Sequence, residues 1–595
     1  MLDVDVAEAV DDALIAAWRA RVDRAGSHLG WVNRQAVARR HARGVSLAIA
    51  APYDELFLAT EVNEWALCAA LVERDALRWT CLEGSLVAEA TQAAQSAQSA
   101  QSAESGAHPA ADILPAIEES AALARFKHLQ SLESDPKLRA LLEAAAAREL
   151  PHVLDESELT LGSGVGGRDF SLSDLPEVAA VPWQELRGVP TAIVTGSNGK
   201  TTTVRLIAAC ARAHGWHAAY NCTDGVFLDD EALAAGDYSG PAGARMVMRE
   251  RRAQAAILET ARGGILRRGI AVSRADAAVV TNVSSDHFGE YGIDDLTGLA
   301  QVKLTVASAV GPNGLLVLNA DDSTLRAQAD GLPRRFGRRA PLGWFAAGPD
   351  HRVLLEYRLR GDSTCGVHEG RLYLNRRGAE HDLGLISAMP LSMGGVAAYN
   401  IANMAGAALA AAALGIAPAS IAEVLARFGS TLADNPGRLM RFEAGGVTVL
   451  IDYAHNPDGL RGFLKVADHL RGGARRLGQP RVGAGRLGLL LGHAGNRRDA
   501  DIEELARTAA EFRPDLVVVK ENDSQLRGRA PGEIPRIIRA ELERLGLPGS
   551  ALPVANSEVD AARIALGWAR PGDVLALPLH SPAARAAVVK MIEKR

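Results

Sequence analysis

Lysine is scarce in this 595-residue chain: of 65 basic side chains only eight are lysines, at 127, 137, 200, 303, 465, 520, 590 and 594. Arginine is the default cation, so a single arginine carries little information. A lysine in a chemically suggestive place carries more, because a compact primary amine does what a guanidinium cannot. Cysteine is also sparse. Five residues (Cys68, Cys81, Cys210, Cys222, Cys365) without CxxC spacing argue against a zinc site or a disulfide framework. A net charge of −6 argues against a nucleic-acid binder that relies on bulk positive charge. No segment reads as a membrane span; the nearest, Gly395 to Ala417, is mostly alanine, carries Asn400 and Asn403, and fits a buried helix better. The start, MLDVDVAEAVDDAL, has no basic-then-apolar signal. These absences predict a cytoplasmic protein with no nucleic-acid and no membrane partner. The length predicts roughly two to four domains.

Residues 1–89 mix helix-like and strand-like stretches, with a strand expected at Val45–Ala51 and an amphipathic helix at Glu61–Leu71. Residues 90–112 degenerate into AQS triplets with few large apolar groups, which reads as a flexible linker or a solvated helix. A helical, alanine-rich stretch and then a Gly-rich one fill 113–189. Its GSGVGG (Gly162–Gly167) follows no convincing strand and opens no apolar-periodic helix, so a turn or hairpin is expected rather than a phosphate loop. From Val189 short apolar strands alternate with helices, which implies parallel sheets wrapped by helices. The arginine-rich stretch Arg334–Glu380 interrupts this pattern and reads as hairpins. A break near Pro436–Gly437 divides a central unit, 190–436, from a last α/β unit, 437–595. The expected fold class is α/β: a central P-loop-type parallel sheet, a C-terminal Rossmann-like unit and a separate mixed N-terminal region.

The most informative segment is Val194-Thr195-Gly196-Ser197-Asn198-Gly199-Lys200-Thr201-Thr202. A strand runs into it and a helix leaves it. Small residues let successive amides point at one anion, and the helix N-terminus adds its dipole. Lys200 would neutralise the β- and γ-phosphates of a nucleotide, and the Thr201 hydroxyl would sit on Mg²⁺. The full Walker pattern expects a glycine where this chain has Val194.

T-G-S-N-G-K-T-T resembles the ATP loop of the Mur ligase superfamily, whose members join an acid to an amino acid using ATP. Other segments match in the same order. Glu259 ends a strand before TARGGILRRG, Thr281-Asn282 leads to Asp286-His287, and Lys303 follows. Further on come Tyr399-Asn400-Ile-Ala-Asn403, Pro436-Gly437-Arg438 and Asp452-Tyr-Ala-His-Asn-Pro457. Within the superfamily, ETARGGILRRG and Lys520-Glu521-Asn-Asp-Ser-Gln-Leu-Arg-Gly-Arg529 look most like the Mur-like half of the cyanophycin synthetases, which attaches arginine to an aspartate side-chain carboxylate. About 190 residues precede the loop here, and none of them reads as the ATP-grasp half that precedes it in those enzymes.

The resemblance implies an ATP- and Mg²⁺-dependent acid–amino acid ligase working through an acyl phosphate. Lys200, Glu259, His287 and Lys303 are the implied catalytic residues, and Thr201, Glu259 and His287 the implied metal ligands. Oxygen and imidazole groups at strand ends suit metal ions between nucleotide and acid. Lys303 is implied to be carbamylated, which turns a cation into an anion. The implied nucleotide contacts are Thr195 to Thr202, Asn400 on adenine, and Arg438 and Asp452 from the last unit. The chain has Tyr399 where the family commonly has His, and Asn496 where the pattern has Asp. The expected acid is an aspartate or peptide-like carboxylate, and the expected amine an amino acid such as arginine. A polyglutamate- or folate-type acceptor, a non-catalytic nucleotide-binding partner of a larger ligase, a homo-oligomer, and association with an ATP-grasp ligase all stay open.

Overall fold

The computed structural model describes residues 2–5, 10–41, 44–74, 118–285, 288, 290–336, 340–472, 485–521 and 525–595. The expected linker at 90–112 lies outside the described residues.

The N-terminal core is built on indoles. Trp18 and Trp31 are buried with Leu47 and Phe126 between a three-stranded antiparallel sheet (Leu2–Asp5, Gly44–Ile49, Ala36–His41) and the helices Asp12–Leu29, Leu56–Arg74 and Glu119–Glu133. Asp11 caps the first helix by accepting from the Leu14 amide at 2.7 Å, and Gly30, at φ 78°, ends it in the left-handed conformation that glycine adopts freely. Each buried indole N–H has a partner: Trp18 donates to Asn63 Oδ1 at 2.9 Å, and Trp31 to Glu55 Oε2 at 2.5 Å. Glu55, fully buried, also accepts from Gln130, Ser134 and Arg139. One carboxylate thus ties together helices far apart in sequence.

A second small antiparallel sheet follows (His152–Leu154, Glu158–Leu161, Arg168–Ser171), and GSGVGG forms the tight turn between its last two strands. Gly162 sits there at φ 81°, and a Cβ on it would lie 2.4 Å from the Gly166 carbonyl oxygen. Hairpin geometry, not anion binding, explains these glycines.

The central sheet has eleven strands. Thr191–Thr195 lies in its middle, parallel to Ala255–Glu259 on one side and Ala275–Val280 on the other. Alternate residues feed two apolar layers: Ala192 and Val194 face the helices Lys200–Ala213 and Ala398–Leu414, while Ile193 faces Pro241–Arg249 and Leu296–Lys303. Burial on both faces is why these strands read as continuous apolar runs. Within Arg334–Glu380 the hairpin expectation holds only from Ser363 onward. Leu342–Pro349 is instead a parallel strand of the main sheet, with Trp344, Phe345 and Ala346 buried, and Arg352–Leu359 is a helix. Arg352, Arg358, Arg360 and Arg377 are exposed, and in the sequence they mask the apolar pattern of these elements.

The C-terminal sheet has six strands in the order Met440–Ala444, Val447–Asp452, Val574–Pro578, Leu487–Leu491, Leu516–Lys520, Val554–Ala555. All neighbours are parallel except the first pair. Helices cover both faces. The molecule is therefore an α/β protein with two parallel-rich sheets and a separate N-terminal region of small sheets and helices. Among the described residues no helix is long and apolar enough to cross a membrane.

At the strand ends of this last unit, Lys520 is buried and donates to Glu558 Oε1 and to the Pro578 carbonyl, both at 2.5 Å. His580 lies beside this pair, with Nε2 3.3 Å from the Ala454 carbonyl. Burial, reinforced by Lys520 and by His455, holds its imidazole well below the ordinary histidine value. A depressed pKa means that below the ordinary value the unfolded chain takes a proton that the folded chain refuses. Stability is therefore complete above that value and is lost as pH falls, at about 1.4 kcal/mol per pH unit. In urea titrations between pH 7 and pH 5, His580→Gln should flatten this loss in the transition of the C-terminal unit; an unchanged pH slope would refute the assignment. Glu55→Ala should cost about 1–3 kcal/mol, because it strands the Trp31 indole and Gln130 amide in the N-terminal core. Indole fluorescence during denaturation checks this.

Candidate active site

The strand Thr191–Thr195 ends at the centre of the main sheet, and the chain turns through Gly196–Gly199 into the helix Lys200–Ala213. Val194 is a pleated residue of that strand, opposite Glu259 and Val279. The loop begins after Thr195, so a glycine at 194 has no turn to serve. Glycine is required instead at 196 and 199. Gly196 has φ 149°, and a Cβ there would lie 1.8 Å from Thr281 Oγ1; Gly199 has φ 82°, and a Cβ there would lie 2.1 Å from Asn403 Oδ1.

The loop is fastened from the neighbouring strand. Asn282 Oδ1 accepts from the Asn198 amide at 2.9 Å, and Asn282 Nδ2 donates to the Asn198 carbonyl at 3.1 Å. The Thr281 hydroxyl donates to that same carbonyl at 2.5 Å, and the Ser197 hydroxyl donates to the Ser284 carbonyl at 3.1 Å. Lys200 Nζ lies back over the loop and donates to the carbonyls of Gly196 and Ser197, both at 3.1 Å. Thr195 is buried, and its hydroxyl has no partner among the described residues.

Glu259 is fully buried at the end of its strand. Its carboxylate accepts from Thr201 at 2.8 Å and from Thr223 at 3.1 Å. Burial raises its pKa; Lys200, Thr201 and Arg438 pull the other way. Three oxygen-bearing side chains so arranged form a hard-donor set that suits Mg²⁺ sharing its remaining positions with phosphate oxygens and water.

The C-terminal unit closes the other wall. Arg438 stacks over the Tyr453 ring, 4.2 Å from the ring centre, with Nη2 3.5 Å from Thr201 Oγ1. Asp452 accepts from the Leu439 amide at 2.7 Å, and burial raises its carboxyl against the pull of Arg438. One amide crosses between the units: Asn456 Nδ2 donates to Asn198 Oδ1 at 2.9 Å. At the end of the central unit, Asn435 Nδ2 donates to Thr202 Oγ1 at 3.2 Å. Between these walls lies a cavity of about 140 Å³, lined by Ser197–Thr202, Glu259, Asn400, Arg438 and Asp452 among others.

Residues 194–340 match the Mur ligase middle domain, and residues 437–577 match the Mur ligase glutamate ligase domain. The chain is 30% identical over 390 residues to the UDP-N-acetylmuramoyl-L-alanyl-D-glutamate–2,6-diaminopimelate ligase of Alkalilimnicola ehrlichii, across 64% of this chain and 69% of that protein. The chain belongs to the Mur ligase family. It is also 36% identical over 380 residues to a cyanophycin synthetase of a Synechocystis species, across 64% of this chain but only 41% of that enzyme. The chain thus spans about two fifths of the length of the cyanophycin synthetases it matches. Among solved structures, Escherichia coli FolC in complex with DHPP and ADP has a TM-score of 0.48 at 20% identity, covering 68% of this chain and 89% of that one.

For this Mur ligase chain the structure brings together the loop residues, Glu259, Asn400, Arg438 and Asp452 in one cavity. His287, with Asp286, lies outside the described residues. Lys303 is buried at the end of the helix Leu296–Lys303 and does not line the cavity. Asn400 does line it, yet both ends of its amide are engaged: Nδ2 donates to the Leu391 carbonyl at 3.1 Å, and Oδ1 accepts from Asn403 at 3.2 Å. Tyr399 packs its ring on Gly462, and its buried hydroxyl has no partner among the described residues. Asn496 and Arg497 meet Glu290 of the central unit, which also pairs with Arg262.

Thr223 and Asn435 escaped the sequence reading. Thr223 belongs to a Thr-Asp-Gly turn signal at the end of the unread strand Ala218–Cys222, and Asn435 directly precedes the Pro-Gly-Arg motif. Gly199→Ala should abolish detectable nucleotide binding, since the methyl group needs both a disfavoured φ and the space of the Asn403 amide. Isothermal titration checks this, with a melting curve to confirm the fold.

Proposed function

We propose that this chain is an ATP- and Mg²⁺-dependent acid–amino acid ligase that forms an amide through an acyl phosphate. One observation carries the reading: a lysine-bearing anion loop, a fully buried carboxylate held by two threonines, and an arginine from a second unit converge on a single cavity. Membership in the Mur ligase family supports it.

A carboxylate is a poor electrophile, and it is repelled by the phosphates it must attack. The loop amides and Lys200, once turned from the carbonyls it now caps, hold the β- and γ-phosphates and offset that repulsion. Thr201 and Glu259, with Thr223 orienting the carboxylate and His287 as the proposed additional ligand, would hold Mg²⁺, which would supply further charge neutralisation. A carboxylate oxygen of the acid attacks the γ-phosphorus, and ADP leaves. The amine then attacks the acyl carbon, and inorganic phosphate leaves as the amide forms. Arg438 reaches the phosphates from the C-terminal wall, Asp452 holds the nucleotide there, and Asn400 would contact the adenine once its amide leaves Leu391 and Asn403. Lys303 does not line the cavity; carbamylated, it would be an anion able to hold a second Mg²⁺. Closure of the two walls excludes water from the acyl phosphate.

The cyanophycin synthetase relatives favour an aspartate or peptide-like carboxylate as the acid and an amino acid such as arginine as the amine. With ATP, Mg²⁺ and pooled acids and amino acids, ADP and phosphate should appear only when an acid–amine pair is present. Nucleotide binding without turnover on any pair would reject the ligase reading. Lys200→Met and Glu259→Gln should each lower the rate by about 10²-fold or more. Glu259→Gln should in addition raise the Mg²⁺ concentration needed for half-maximal rate.

A further inference from the structure

Arg585 belongs to the last helix of the chain, Pro582–Glu593, yet its guanidinium reaches the central unit. Nη2 lies 3.3 Å from Asp224 Oδ1, and the other oxygen of Asp224 is 3.2 Å from Arg205 Nη2, on the helix that leaves the anion loop. Nη1 of Arg585 lies 3.4 Å from the Pro436 carbonyl. All three side chains are mostly buried, Arg205 at 8%, Arg585 at 10% and Asp224 at 17% exposure, so the pairs are shielded from solvent. Asp224 directly follows Thr223, which holds Glu259. Pro436 and Gly437 directly precede Arg438, which reaches Thr201. Gly437 has φ 71°, and a Cβ on it would lie 1.7 Å from Arg585 Nη1, so the connection between units is moulded around this guanidinium. Tyr453, the ring beneath Arg438, faces Asp237, Arg585 and Asp224 as well.

We propose that Arg585 is a positioning residue: by bridging Asp224 to the Pro436 carbonyl it fixes the C-terminal wall so that Arg438 covers the phosphates and water is kept from the acyl phosphate. The proposal rests on the ligase reading above. Without the bridge, water competes with the amine for the acyl carbon, and the acyl phosphate then returns to free acid and phosphate, so that ATP is consumed without amide.

The test uses the full chain and counts amide formed per ADP released. This ratio does not depend on the fraction of protein that is folded. The native chain should give close to one amide per ADP. Arg585→Met should lower the ratio about threefold or more while moving KM for ATP less, and Arg585→Lys should restore part of it. Asp224→Asn, approaching the bridge from the other side, should lower it in the same sense and serves if Arg585→Met fails to fold. A ratio equal to that of the native chain in these variants, whatever their rate or melting temperature, overturns the proposal. If the native chain forms no amide with any pair, the ligase reading is what has failed. The bridge is then judged by small-angle scattering with a non-hydrolysable ATP analogue and Mg²⁺. Native compaction that Arg585→Met lacks supports it; equal compaction in both overturns it.

Discussion

A carboxylate with no access to water governs the arrangement of this protein. Glu259 sits at the end of a strand buried on both faces, and burial pushes its pKa up. It is held in use by hydroxyls from Thr201 and Thr223 and by the fields of Lys200 and Arg438. Those four groups come from the anion loop and its helix, from the turn between the strands Ala218–Cys222 and Gly225–Leu228, and from the C-terminal unit. The sheet order, the placement of the loop and the approach of the second unit all serve to bring them to that one oxygen pair. A charge buried this deeply is tolerable only with partners of this kind, and their identity as oxygens and cations defines what can join them.

The C-terminal unit is correspondingly more than a cover. Asn456 touches the loop, and Arg438 touches the hydroxyl that also serves Glu259. Beside these polar contacts lies an apolar one: Ala397 of the central unit is buried in the core of the C-terminal unit, with Met393, Val396 and Tyr399 packed against that core. The Glu290 junction, with Arg262 on one side and Asn496 on the other, repeats the pattern further along the same boundary.

Much of this was legible in the amino acids. Strands buried on two faces announce themselves as short apolar runs, as Thr191–Thr195, Val447–Asp452 and Leu487–Leu491 do within the alternating pattern that begins at Val189. The loop was legible because a tight turn of small residues running into a rare lysine is what an anion cradle demands and what little else in a folded chain does. Illegible elements had their signal diluted. Leu342–Pro349 lies within an arginine-rich stretch of sequence, and Ala218–Cys222 is short and followed at once by a turn. The Thr-Asp-Gly sequence around Thr223 marks a turn and nothing more, and its role exists only because that hairpin folds beside Glu259. Asn400 shows the converse limit. A polar residue in an alanine-rich helix signals a role, but not that its amide is divided between Leu391 and Asn403.

The two glycines of the anion loop have an evolutionary corollary. The space that a side chain would need at 196 is filled by the Thr281 hydroxyl, and at 199 by the Asn403 amide. Neither position can drift alone. A larger residue at either is admissible only alongside a smaller one on a different segment, and each such smaller residue removes a fastening of the loop or of the helix beneath it. The two glycines and their two polar neighbours therefore form a single epistatic unit, inherited or lost together.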